Sequence, residues 1–121
     1  MSNPPFRAEI RQLNQIAVID LYGEINAFAD PRLSGAYHEA QSANPLMVVL
    51  NFGQVDYINS TGIALVVGLL AQSRKTGRKM AVYGLSPHYL QIFQITRLSD
   101  FMQVYSDEAS ALQGVADPSS L

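Results

Sequence analysis

Two adjacent hydroxyls, Ser60 and Thr61, stand between Asn59 and Gly62 in a stretch nearly devoid of charge. Between Glu39 and Arg74 the only charged residue is Asp56. A serine hydroxyl does chemistry in two ways: as a nucleophile once a base takes its proton, or as the acceptor of a phosphoryl group. The first way needs a base within reach, and no Gly-x-Ser-x-Gly elbow surrounds Ser60. Glu24 and Asp30 lie near an expected loop, but nothing else supports a general acid/base pair there. His38 and His88 fall on different expected helices, and the chain has no cysteine to join them as metal ligands. The glycine-rich dinucleotide and phosphate loops and the H-E-x-x-H motif are all missing. The residues therefore point to no catalytic group, no metal and no cofactor.

These residues must be positioned by the elements around them. Phe6, Ala8 and Ile10 alternate with Arg7, Glu9 and Arg11, the period of a half-buried strand. A tight turn at Leu13-Asn14-Gln15 leads to a second strand, Ile16 to Tyr22, paired antiparallel with the first and ended by Gly23. Asp30-Pro31 reads as a helix N-cap and first position, and Leu33, Ala36, Tyr37 and Ala40 then share one face. Asn44-Pro45 stops that helix. Leu46 to Phe52 is a continuous apolar run, the pattern of a strand buried on both faces of a parallel sheet. Gly53 to Ile58 reads as a connecting loop. Asn59 or Ser60 caps the next helix, which runs to about Thr76, with Arg74 and Lys75 in its last turn and Gly77 as its stop. Lys79 to Leu85 is another buried strand, and Ser86-Pro87 opens a helix with Tyr89, Leu90 and Phe93 available to the core. Phe101 to Tyr105 is a last strand. Asp107-Glu108 opens a short helix that Gly114 ends, and the tail from Ala116 frays.

Strands alternating with helices imply an α/β fold: a mixed, mostly parallel sheet of four to five strands with about four helices. Its 121 residues form one domain, with the core over about 6–115. Apolar residues make up 48% and charged ones only 15%, against about 25% in typical domains, so the surface is poor in charge. The net charge of −2 argues against nucleic acid as a partner, because phosphate contacts need a basic face. The longest apolar run, Ile63 to Ala71, falls far short of the ~20 residues that span a bilayer, so no membrane insertion is expected. The first residues lack the basic and apolar segments of a secretory signal, which reads as a cytoplasmic protein.

The helix after Ser60 departs from the usual pattern. Ile63, Val66, Val67 and Leu70 make one apolar face, and Leu65, Gly68 and Leu69 make a second. A helix apolar all round is either buried or covers a partner. Lying on one face of a sheet, it should keep a solvent side, so the second face is assigned to a partner or to a second copy of the chain. Ser60 would start this helix beyond the carboxyl end of a parallel strand, where sites in such sheets gather. A helix N-terminus also favours an anion.

In order along the chain, several segments resemble the STAS family, the domain of bacterial anti-sigma factor antagonists and of sulfate-transporter tails. Leu21-Tyr22-Gly23-Glu24-Ile25-Asn26 is similar to the family's early G-E-(I/L)-D segment. Met47 to Phe52 resembles the strand that usually ends in aspartate. Val55 to Ile63 resembles the signature loop, commonly (F/Y)-(I/M)-D-S-(S/T)-G-(L/I). Gly77-Arg78-Lys79-Met80, Gly84-Leu85-Ser86 and Glu108-Ala109 also fall where the family has similar residues. The resemblance spans Ile16 to Leu112. It implies a small mixed sheet with helices and a protein that is not an enzyme. It implies, as partners, an anti-sigma factor that is also a serine kinase and a metal-dependent serine phosphatase. By position Ser60 matches the phosphate acceptor, with Thr61 as second choice. The contact surface would comprise Tyr57, Asn59, Ser60, Thr61, Gly62, Leu65, Gly68 and Leu69. Asn51 and Asn59 stand where the family usually has aspartate. Those two departures leave a second reading, a STAS interaction subunit of a signalling scaffold or transport complex that works without phosphorylation.

Overall fold

The structure, a computed structural model, describes residues 5–116. Strand β1 (Arg7–Leu13) turns at Asn14 into β2 (Ile16–Ile25). Helix α1 (Asp30–Ser42) leads to β3 (Met47–Ile58), α2 (Ser60–Lys75), β4 (Lys79–Tyr83), α3 (Pro87–Ile95), β5 (Gln103–Tyr105) and α4 (Glu108–Ala116). The five strands lie in the sheet in chain order, β1-β2-β3-β4-β5. β1 pairs antiparallel with β2, and every later pair is parallel. This is the mixed, mostly parallel sheet with four helices that the strand-helix alternation predicts.

That order dictates the layers. Parallel crossovers are right-handed, so three of them stepping in one direction across a sheet deliver their helices to the same face. α1, α2 and α3 accordingly share one core with the inner face of the sheet, built around Ile19, Leu21, Leu33, Tyr37, Val48, Leu50, Val66, Val82 and Phe93. α4 follows the last strand and crosses to the other face, where Ala111 packs with Val18, Met47, Val49, Ala81 and Tyr83.

Four expectations are corrected. Gly23 does not end β2; it lies within the strand at φ 89°, where the pairing with β3 slips. Gly53 to Ile58 is not a loop but the second half of β3. The register moves from Asp20–Asn51 to Tyr22–Gln54 and then to Glu24–Tyr57, so β3 carries extra residues against β2. Such bulges break the alternation by which a strand is recognised, and glycine at φ > 0 accommodates them. Asp30 is not a cap: it is already helical, and the chain enters through a 3-10 turn, Ala27–Ala29, capped by the Asn26 side chain. Gly114 lies inside α4 against the Tyr105 ring, whose hydroxyl would have to move aside for a Cβ there. The expected fraying from Ala116 onward lies outside the described residues, except that the backbone of Ala116 closes α4.

On the outer face over β1 and β2, a polar network ties the first strand to the last helix. Arg11 donates from Nε and Nη2 to the two carboxylate oxygens of Asp20 at 2.7 and 3.0 Å, and from Nη1 to Glu108 at 2.8 Å. Asn51 Nδ2 donates to Asp20 Oδ1 at 2.8 Å, while Asn51 Oδ1 accepts from the Gly53 N–H at 2.9 Å. Burial pushes the Asp20 carboxyl up. The hydrogen bonds from Arg11 and Asn51 and the Arg11 charge outweigh this and hold it below the ordinary aspartate value. Burial, together with the neighbouring Glu108 and Asp20 carboxylates, pushes the Tyr83 hydroxyl up.

Candidate functional site

The site forms where β3 ends and α2 begins. Asn59 has an extended backbone and its Oδ1 accepts the Gly62 N–H at 2.8 Å, so Asn59 is the N-cap. This decides between the two residues named above: Ser60 is the first helical residue and takes no part in capping. Its side chain is exposed, as is that of Thr61. Helical pairing starts at the Ile63 N–H, which reaches the Asn59 carbonyl at 2.9 Å. With the Gly62 N–H taken by the cap, the Ser60 and Thr61 N–H groups have no partner among the described residues.

Three contacts hold this corner in place. The Asn59 N–H donates to the Ile25 carbonyl at 3.2 Å, joining the end of β3 to the end of β2. Gly62 lies directly on that carbonyl, and a Cβ there would collide with it and stand 2.8 Å from Ile58 Cγ2. Glycine at 62 is therefore what lets α2 sit down on the sheet. From α3, the Tyr89 hydroxyl accepts the Ile58 N–H at 2.8 Å and donates to the Ile58 carbonyl at 3.4 Å. Tyr89 was legible in the sequence only as a core aromatic. Its pinning role depends on α3 arriving beside β3, which sequence spacing does not reveal.

The exposed groups at this end include Tyr57, 53% accessible, and Phe28, 90% accessible in the 3-10 turn that packs beside α2. Phe28 escaped the sequence reading because a lone aromatic outside any periodic segment reads equally well as core. Ser60 Oγ has no hydrogen bond to a base among the described residues. The described residues contain no group of three or more side chains placed to hold a metal ion. Chemically, the corner offers an accessible hydroxyl beside two free N–H groups on a helix N-terminus. That is a place where a phosphoryl group can be received and its charge stabilised.

The proposed second face of α2 is corrected in part. Leu69 is buried, at 4% exposure, and Leu65 is half-buried against the same core; only Gly68 is open to solvent. The helix presses Gly62, Val66, Leu69, Leu70 and Ser73 inward. Its outward side is Ala64, Val67, Gly68 and Ala71, with Val67 at 44%. Where apolar residues occur all round a helix, their pattern cannot choose the buried side, and packing against the sheet does.

The STAS domain family matches residues 7–111, nearly the whole described chain. This chain belongs to the STAS domain family. Among its relatives is the anti-sigma-B factor antagonist of Listeria monocytogenes, 29% identical over 92 residues, covering 74% of this chain and 81% of the relative. An anti-sigma factor antagonist from Mycobacterium paratuberculosis has a similar structure, with a TM-score of 0.81 at 19% identity over 93% of this chain and 96% of that one. The Bacillus cell fate determinant SpoIIAA in its phosphorylated form gives a TM-score of 0.69 at 22% identity, over 92% of this chain and 99% of that one.

In this STAS domain the two asparagines noted above have separate explanations. Asn51 faces the Asp20 carboxylate at 2.8 Å, where a second carboxylate would repel it and the amide instead donates. Asn59 supplies the cap, a task asparagine and aspartate perform about equally well. No described helix is long and apolar enough to cross a membrane.

Proposed function

We propose that this STAS domain is an anti-sigma factor antagonist that binds an anti-sigma factor acting also as a serine kinase, and that phosphorylation of Ser60 switches the binding off. A serine phosphatase restores it. Tyr57, Asn59, Ser60, Thr61 and Gly62 form the switch corner, with Leu65 and Gly68 on the flank of α2; no catalytic step is assigned to the chain itself. The observation that carries this reading is the position of Ser60: exposed at the first turn of α2, beside two unpartnered N–H groups, and on the residue that the signature loop aligns with the acceptor. The name of the Listeria relative and the phosphorylated form of SpoIIAA support it.

An anion at this helix end stabilises the fold by about 0.3–1 kcal/mol. At an apolar interface the same charge is buried without a counter-charge, at a cost of about 3–5 kcal/mol, or roughly two to four powers of ten in affinity. The test is incubation with the native kinase and ATP, followed by fragment mapping and by calorimetric titration of the kinase with wild type, Ser60→Ala and Ser60→Glu. One phosphate on Ser60 and loss of binding only in Ser60→Glu are expected. Phosphate on Thr61 instead would transfer the acceptor role. The neutral cap at Asn59 favours a second reading, a constitutive interaction subunit. Binding of Ser60→Glu within about threefold of wild type would select it.

A further inference from the structure

At the far end of α2 from Ser60, four of the chain's eight lysines and arginines fall between positions 74 and 79: Arg74, Lys75, Arg78 and Lys79. Ser60 follows the end of β3 whereas Lys79 begins β4, and these strands are parallel, so the two places lie at opposite ends of the sheet. Here Val67, Leu70, Ala71 and Phe101 line a shallow, open and almost wholly apolar groove that ends at Arg74. It runs on, past Leu70 and Arg74, into a more polar cleft bordered by Lys79 and Asp100. Phe101 is 54% exposed, and the Arg74 guanidinium lies over its ring, 4.8 Å from the centroid.

The charge on this seat is mainly positive. Among the described residues, Arg74, Lys75 and Lys79 form no ion pair. The one carboxylate on the cleft, Asp100, is held at 2.7 Å by Arg97. Arg78 is turned to structure, with Nε on the Pro45 carbonyl and Nη2 on Asn44. An apolar trough with an exposed aromatic and unpaired cations at its end complements a segment that has apolar anchors on one side and carboxylates beside them. A chain with net charge −2 that gathers its cations here has a local attraction for acid that its overall charge does not.

We propose that the groove between the C-terminal half of α2 and Phe101 is a second docking surface, and that it receives an acidic amphipathic peptide segment of a partner protein. The surface is separate from the Ser60 corner, about 20 Å along the helix at 1.5 Å per residue, and does not depend on phosphorylation there.

The test uses the full chain, 15N-labelled, and two designed helical peptides with the same leucine seam, one flanked by glutamates and the other by lysines. Saturable amide shifts centred on Val67, Ala71, Arg74 and Phe101 are expected with the glutamate peptide only. Arg74→Glu and Phe101→Ala should each weaken that binding roughly tenfold or more while keeping the native spectrum. Should Arg74→Glu lose its native spectrum, Lys79→Glu gives the same reading. The proposal is overturned by the absence of shifts, by shifts centred elsewhere, or by equal binding of the lysine peptide. Two further results also overturn it: binding of phosphatidylserine vesicles in place of the peptide, which would make the seat a lipid surface, and concentration-dependent shifts at these residues without peptide, which would make it a contact between copies of the chain.

Discussion

At residue scale, the corner divides two tasks between neighbouring residues. Asn59 stabilises the start of α2, and Ser60 is left exposed and unengaged. Substituting the cap should therefore matter to folding and substituting Ser60 should not. Asn59→Ala is expected to cost about 0.5–2 kcal/mol and Ser60→Ala to stay within about 0.5 kcal/mol of wild type, measured by urea unfolding. A Ser60→Ala loss as large as that of Asn59→Ala would contradict the assignment of the cap. Tyr89 is the other decisive residue. Its hydroxyl accepts the buried Ile58 N–H at 2.8 Å, so Tyr89→Phe removes that acceptor from a buried donor. The expected loss is about 1–3 kcal/mol, accompanied by amide shifts from Tyr57 to Gly62. Shifts confined to α3 would show that Tyr89 does not position the corner.

At the scale of elements, α2 has an inward side that touches sheet and an outward side that is apolar yet open. Lysine at the two kinds of position reads out this difference. Leu69→Lys places an ammonium in the core and should unfold the domain or cost more than about 3 kcal/mol. Val67→Lys lies on the open side and should change stability by about 0.5 kcal/mol or less. Thermal melting of the two variants checks the orientation of the helix, and equal losses would mean that α2 is rotated from the position described. The second half of β3 matters at the same scale. Its bulges carry the strand on to Ile58, so the switch corner stands on sheet rather than on a free loop.

At the scale of the molecule, Arg11 joins strand to helix across 97 residues, through Asp20 on one side and Glu108 on the other. The contact clamps α4 against the outer face and links it to β1 and β2. Asp20 titrates below its ordinary value in the folded state, so the pair adds stability above the usual aspartate pKa of ~3.9. That contribution fades as pH falls below about 4 and through the lower folded value. Asp20→Asn should lose about 1.5–3 kcal/mol at neutral pH, the range for hydrogen bonds to charged groups. The gap from wild type should narrow on acidification. Urea unfolding between pH 2 and pH 7 measures it, and a gap that stays constant across that range would show that the Asp20 charge is not what holds the clamp.

The sequence by itself determined the strand-helix alternation, a buried strand over Leu46–Phe52 from which the structure leaves out only the exposed Leu46, a helix capped by Asn59 or Ser60, and the family to which the chain belongs. Each of these is written in local terms: hydrophobic period, caps, turn residues and an ordered set of short motifs. What only the tertiary structure decided depends on contacts between residues distant in sequence. The chain-order sheet and right-handed crossovers placed α1 to α3 on one face and left α4 for the other. Packing against that sheet chose the buried side of α2, turning Leu69 inward and Val67 outward, where an unbroken apolar pattern has no preferred side. The extra residues in β3 are visible only against the register of β2. The same holds for Asn51, whose neutral amide is explained by a carboxylate 31 residues away that folding brings within 2.8 Å.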